Sequence, residues 1–392
     1  MNPNTSWESY TLIMRGSNTS LFLGVNMNNR ERKEKRYLRR KQKRFDKIIE
    51  RSNKYANIDK AFCFHKVMFY SDKCCNGVRW KKSTINFMQH QFTIISNTCH
   101  NIKNNNYKVG KTYKFQINER GKTRNIDAPH INDRLIHKVL SNEILLPIYE
   151  PHIIYDNGAS QKDKGFTFAL YRVKDKLQKF YIKNKLNGYV VLIDYSKFFE
   201  NCSHEIIHNI HKKYIFNDYA IKVIEDYLFV TNGIALGVEI AQREASIIPN
   251  LLDHYIENEN GLLVRYMDDS VFITDTLENA SKLLKIYIEE AKRLGIIVNV
   301  KKTKIIKLEK YFKFCKWNYK LFPSGKVILV PHKETIYRQR RKIRKMYKLY
   351  LNNKLAYDDL AITKNCFQAY LNIGNSNKYI EYFSLRYNLL LK

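Results

Sequence analysis

Two adjacent aspartates, Asp268 and Asp269, interrupt the stretch RYMDDSVFIT at residues 265–274, between short apolar runs that read as the arms of a hairpin. Carboxylates paired in such a place repel each other and lose hydration. A divalent metal ion relieves both penalties, and hard oxygen donors are what Mg²⁺ prefers. A third carboxylate, Asp194, ends the buried-strand run of GYVVLIDYSKFF at residues 188–199. If that strand and the hairpin are neighbours in one sheet, three carboxylates meet at one edge and can hold two Mg²⁺ ions. Such ions activate an attacking hydroxyl and stabilise a leaving pyrophosphate, which is the chemistry of nucleotidyl transfer. A lone Asp-Asp pair is common in surface turns, so the weight rests on the ordered series around it.

That series is strand, helix, hairpin, helix, strand. After Asp194, SHEIIHNIHKKYI repeats its apolar residues at helical spacing from Ile206 to Tyr214. After Asp269, Leu277, Ala280, Leu283, Leu284, Tyr287, Ile288, Ala291 and Leu294 keep one helical face apolar, and Gly295 ends it. IIVNV, TKIIKL and FKFCKWNYKL then read as strands. The order specifies an α+β sandwich of the split βαβ type. Upstream, YKFQINERGKTRNIDAP reads as a hairpin turning at Glu119–Gly121, and HINDRLIHKVLSNEILLPIY as a helix with Leu135, Val139 and Leu140 on one side.

Composition points to the partner. Lysine and arginine total 69 of 392 residues against 37 acidic ones, a formal charge of +32, which favours a polyanion. No apolar run is long enough to span a membrane and the first residues lack a leader pattern, so no membrane role is expected. Seven cysteines without C-x₂-C spacing fit thiols in a reducing compartment, and the expected location is cytoplasmic. Two segments concentrate the basic charge. RERKEKRYLRRKQKRFDKIIER, residues 30–51, is either a solvated arm or an RNA-binding helix. TIYRQRRKIRKMYKLYL, from Thr335, sets Ile336, Ile343, Met346, Tyr347 and Tyr350 on one face and Arg338, Arg341, Lys345 and Lys348 on another, where they could meet a phosphate backbone.

On these motifs the chain resembles a reverse transcriptase over roughly residues 60–350. YMDD and VLIDYSKFF match the two metal-binding palm motifs of that family. CCNGVRW, NERGKTRNIDAPHINDRLIHK, IYDNGASQKDKGFTFAL and FPSGKVILVPHKETIYRQRRKIRK resemble the prokaryotic branch, specifically the unaffiliated enzymes that include antiphage defence types. The resemblance implies a right-hand polymerase: a basic N-terminal arm at 1–60, fingers at 61–188, a ferredoxin-like palm at 189–320 and a helical thumb at 321–392. It implies Asp194, Asp268 and Asp269 as catalytic metal ligands, joined by the Tyr195 carbonyl, with two Mg²⁺ ions that Mn²⁺ could replace. Lys122 and Arg124 would grip the triphosphate, Phe199 would bar a ribose 2′-hydroxyl, and Gln242 would line the nucleotide site. Lys302, in NVKKTKI, would approach the pyrophosphate as a general acid, and FKFCKWNYKL would grip the primer.

One segment departs from the family pattern. In ALGVEIAQREASIIPNLLD, Gly237 matches, but Ala241 stands where Ser is usual and Leu236 where some members have Gln, while Gln242 and Asp253 keep their spacing. The departure bears on nucleotide selectivity, not on the metal ligands. The implied activity is RNA-directed DNA synthesis from dNTPs on an RNA template, giving a DNA product. No RNase H or endonuclease module is assignable, and the resemblance to the antiphage branch implies a structured noncoding RNA as template. A protein partner or a homo-oligomer stays open. The alternatives are untemplated or self-primed synthesis, and a non-catalytic RNA-binding scaffold. A scaffold has no reason to keep an uncompensated acidic cluster.

Overall fold

The structure, a computed structural model, describes residues 28–119, 121–259 and 261–390. Among them nine strands form three antiparallel sheets. A hairpin joins β1 (Tyr113–Glu119) to β2 (Lys122–Ala128). A four-stranded sheet contains β3 (Tyr189–Asp194), β4 (Val264–Tyr266), β5 (Asp269–Thr274) and β6 (Lys304–Lys307) in the order β4-β5-β3-β6. The third sheet is β7 (Phe312–Phe314), β8 (Trp317–Leu321) and β9 (Val327–Pro331).

The four-stranded order follows from two crossovers. The chain leaves central β3, returns through helices to edge strand β4, and turns back into β5 beside β3. The helix Leu277–Arg293 then carries it to the opposite edge, β6. This is the split βαβ arrangement expected of the α+β sandwich.

Period-two alternation buries both faces of this sheet. From β3, Val191 and Ile193 join a core that includes Phe272 of β5 and Ala280, Leu283, Tyr287 and Ala291 of the helix Leu277–Arg293. Val190, from the other face, joins Val264, Val271 and Ile273 against Leu170, Val173 and Leu177 of the helix Phe166–Asn184. The sheet is held between two layers, so its strand ends are rigid supports for side chains.

The expected strand IIVNV does not form; Val298 makes only an isolated bridge to Tyr195, just past the end of β3. Two residues on, Lys197 takes a left-handed φ of 46°, turning the chain away before a ladder can extend. The helix expected from residue 130 does form, as Ile131–Val139 continuing through a π-helical segment, Leu140–Leu145. Leu135, Val139 and Leu140 are fully buried along it.

The chain after β9 forms three helices, Lys333–Leu351, Tyr357–Leu371 and Asn377–Leu390, with a small core of Ile336, Ile343, Phe367, Leu371 and Phe383. At the other end, residues 29–47 of the helix Asn29–Tyr55 form a separate unit with nearly every residue exposed. The rest of the expected N-terminal arm, residues 1–27, lies outside the described residues. No helix among those described is long and apolar enough to cross a membrane.

Candidate active site

Strand register brings the aspartates together. Asp194, the last residue of β3, lies opposite Asp269, the first of β5, so their side chains share one sheet face as cross-strand neighbours. Asp268 precedes it in the β4–β5 turn, beside Met267, whose φ of 54° is left-handed. Burial pushes the Asp269 carboxyl up to about 7, with the charges of Asp268 and Asp194 adding to it. Asp268, although its side chain reaches solvent, is also pushed up, first by partial loss of hydration and then by Asp194, while Arg124 and Lys302 oppose the rise. Crowded carboxylates with raised affinity for protons are short of positive charge, and their oxygens suit a hard divalent cation.

The three do not surround a common point: among the described residues no three His, Cys, Asp or Glu side chains are placed to hold one ion. Asp194 is instead engaged by Lys302, whose Nζ donates to both carboxylate oxygens at 2.8 and 2.7 Å. The resemblance implied a lysine that approaches a pyrophosphate; in this structure its partner is the Asp194 carboxylate.

Arg124, on β2, is near enough to Asp268 for its charge to act on that carboxyl. Lys122 begins β2, and its side chain lies outside what the structure describes. Tyr195 buries its ring, with its hydroxyl bonded to that of Tyr287. Its bridge to Val298 uses the Asp194 carbonyl and the Ser196 N–H, and does not consume the Tyr195 carbonyl.

Of the two adjacent phenylalanines, Phe198 is buried and Phe199 is half-buried, on the short helix Phe198–Asn201. The Phe199 carbonyl accepts from the Ile234 N–H at 2.8 Å. A Cβ at Gly233 would stand 2.4 Å from that same oxygen, and Gly233 has a φ of 72°. Glycine there lets the loop before Gly237 press against the Phe199 backbone and fix it.

Gln242 is exposed on the helix Glu239–Ile247 and lines a cleft of about 730 Å³ with Lys73, Arg134, Lys138, Lys162 and Arg243. The one acid in that lining, Glu239, pairs with Lys138 at 2.9 Å. Pro129, Arg134 and Gly237 also line a second cleft of about 370 Å³, in which Tyr113 and Phe115 of β1 are exposed. The two clefts therefore adjoin, making a basic trough beneath the hairpin; the aspartates are not in its lining. Gly237, with a φ of 110°, packs against the Asp127 carbonyl, and the Leu236 carbonyl accepts from the Asp127 N–H at 2.9 Å, tying this segment to β2. Arg338, Arg341, Lys345 and Lys348 are all exposed on the helix Lys333–Leu351, as are Lys342 and Arg344.

Sequence reading missed the support beneath the turn. Arg265, immediately before Tyr266, is fully buried and donates to Asp253 at 2.7 Å, to the Ser246 carbonyl at 2.6 Å and, more weakly, to the Ala245 and Met267 carbonyls at 3.5 Å. An arginine inside an otherwise apolar strand was the available signal, since a buried guanidinium requires acceptors. Residues Asp156–Gly158 add to this support, bonding β4 through the Arg265 N–H and carbonyl. Cys315 was missed as well. The β7–β8 turn places it, at a φ of 47°, with its thiol 3.9 Å from Asp269.

A family profile described as reverse transcriptase (RNA-dependent DNA polymerase) matches residues 102–349, more than half of the chain. No curated protein matches it by sequence. Among solved structures it is similar to a C-terminally truncated apo telomerase from Candida tropicalis, at 15% identity and TM-score 0.43, with 61% of this chain and 60% of that one covered. A Candida albicans telomerase in complex with a fragment of telomeric RNA gives 10% identity, TM-score 0.41 and coverage of 59% and 48%. The RNA-dependent RNA polymerase of a human picobirnavirus gives 12%, 0.39, and coverage of 57% and 46%. The chain thus spans about half to three-fifths of the length of these structures.

Proposed function

The chain belongs to the reverse transcriptase family, and from that premise we propose that it is an RNA-directed DNA polymerase, with Asp194, Asp268 and Asp269 as its metal ligands. The register that sets Asp194 opposite Asp269, inside the span matched by the family profile, is the observation that carries this reading. Mg²⁺ supplies activation of the primer 3′-hydroxyl and charge stabilisation at the pyrophosphate. Arg124 and Lys122 at the hairpin, Lys302 and the Tyr195 carbonyl complete the nucleotide site in this proposal. Gln242 stays with the nucleotide site in this proposal, and the trough beside it is assigned to the single-stranded template, because six cations and exposed aromatic rings suit a flexible polyanion. The direct test is extension of a primer annealed to RNA, with dNTPs and Mg²⁺. Activity on a templated primer, absent in chelator, is expected; no incorporation on any primed or unprimed RNA would favour a scaffold.

The finer reading is a prokaryotic enzyme of the antiphage class copying a structured noncoding RNA. It is supported by the resemblance of residues 74–80, 118–138, 154–170 and 322–345 to that branch. Seven free thiols support a cytoplasmic setting.

Phe199→Ala should leave dNTP incorporation measurable and narrow the preference for dGTP over GTP by about tenfold or more. A clash that excludes the 2′-hydroxyl acts on the difference in transition-state binding. The quantity to compare is the ratio of kcat/KM for the two nucleotides. A wild type without preference, or an unchanged ratio in the variant, would remove Phe199 from this role.

RNA affinity should fall steeply with salt. Replacing Arg338, Arg341, Lys345 and Lys348 by Gln should reduce the slope of log K against log salt by about 3 to 4 on duplex RNA, close to one for each phosphate no longer neutralised. Filter binding at several salt concentrations measures it, and an unaltered slope would place the RNA path elsewhere.

A further inference from the structure

Lys302 does more in this fold than stand near the reacting groups. Its ammonium donates to both oxygens of Asp194, and the turn that carries it is fastened to the same residue: the Asn299 N–H donates to the Asp194 carbonyl at 2.8 Å. The Lys302 and Thr303 N–H groups both donate back to the Asn299 carbonyl, at 3.1 and 2.9 Å. The backbone is therefore pinned beside the carboxylate, while the half-exposed side chain can move. Asp194 is turned to this lysine, and among the described residues no three acidic side chains close around one point.

Each Asp194 oxygen keeps a further lone pair, but an ammonium held on both of them repels a divalent ion brought to the same carboxylate. Metal and Lys302 therefore compete for Asp194, and the half-exposed ammonium is the partner free to move. Metal bound among the aspartates also satisfies Asp268 and Asp269, the other carboxyls on which this lysine acts, so the freed ammonium, still tethered by its pinned turn, pairs with an anion outside the cluster. During polymerisation that anion is the nucleotide triphosphate.

We propose that Lys302 is a built-in counter-ion at Asp194 that divalent metal must displace, so that one ammonium group couples metal binding to triphosphate binding. This rests on the polymerase reading above. By linkage, whatever the lysine subtracts from metal affinity in the free enzyme, the triphosphate restores by taking the lysine, and the coupling acts equally on both ligands. The arrangement disfavours metal loading before nucleotide arrives.

The test uses the full chain and Mn²⁺ as the probe, counted by electron paramagnetic resonance with and without an α,β-imido dNTP. Lys302→Met should bind Mn²⁺ about tenfold more tightly than wild type in the absence of nucleotide, within the usual range of coupling between sites. Its added gain from the nucleotide should shrink by a similar factor. Lys302→Arg, which keeps a cation at the carboxylate, should stay close to wild type. Melting without metal verifies that each variant folds, and Lys302→Met should gain more melting temperature from Mn²⁺ than wild type does. Equal or weaker Mn²⁺ binding in folded Lys302→Met would overturn the inference. Loss of Mn²⁺ binding in Asp194→Asn at the same time would leave the polymerase reading standing. Wild type that binds no more Mn²⁺ than Asp194→Asn would sink both.

Discussion

Asp268→Asn is expected to lower nucleotide incorporation about a thousandfold without lowering the melting temperature. Loss of a metal-binding carboxylate removes several kcal/mol of transition-state stabilisation, and about 4 kcal/mol corresponds to that factor. The fold should not suffer, because Asp268 is exposed in the turn between β4 and β5, outside both strands. Its charge is in fact unfavourable to its neighbour: with burial and Asp194, it raises Asp269 to about 7. A carboxyl whose folded pKa is raised holds its proton more tightly when folded, so stability falls as pH climbs from the ordinary carboxylate range to about 7. Asparagine at 268 relieves part of that loss. In metal-free buffer the variant should therefore match wild type in acid and melt slightly higher above about pH 7. Primer extension beside thermal melting at two pH values makes the comparison. Full activity in the variant would end the metal-ligand assignment, and a large drop in melting temperature would make Asp268 a structural residue.

The sequence was most legible where a local pattern also decides burial. Five consecutive residues, Tyr189–Ile193, read as a strand because both faces of the sheet are covered, and Asp194 falls at its end for that reason. The helix Leu277–Arg293 was legible from one apolar face, and the Thr276 side chain caps it, accepting from the Asn279 N–H at 3.1 Å. What could not be read depends on partners far apart in the chain. IIVNV has the composition of a strand, but a strand also needs a neighbour to pair with, and the chain beyond Tyr195 turns away. Lys302 lies 108 residues from Asp194, and no local periodicity states that they meet. Arg265 and Asp253 lie only 12 apart, yet the helix and strand that carry them face each other only after the whole sheet has formed.

That buried pair should have the largest effect on stability. Arg265 and Asp253 are both without solvent exposure and 2.7 Å apart. Burial works against the Asp253 charge and Arg265 works for it, so each needs the other. Asp253→Ala leaves a guanidinium buried without its counter-ion and should destabilise the fold by about 3–5 kcal/mol, whereas replacing both partners with apolar residues of similar size is often close to neutral. Asp253→Leu combined with Arg265→Met should accordingly recover most of the loss, read as the urea midpoint. Activity should not recover with it. The guanidinium also bonds the Ser246 carbonyl, next to the segment carrying Gln242, and reaches the Met267 carbonyl beside Asp268. Without it the turn that presents two of the three aspartates loses its anchor to the helix Glu239–Ile247. A displacement of about 1 Å at reacting groups slows chemistry about a hundredfold. Single-turnover incorporation in the double variant should therefore be about ten- to a hundredfold below wild type, at saturating Mg²⁺ and near-normal stability. Full activity there would reduce the pair to a structural contact, and a loss below about 1 kcal/mol in Asp253→Ala would contradict the burial argument itself.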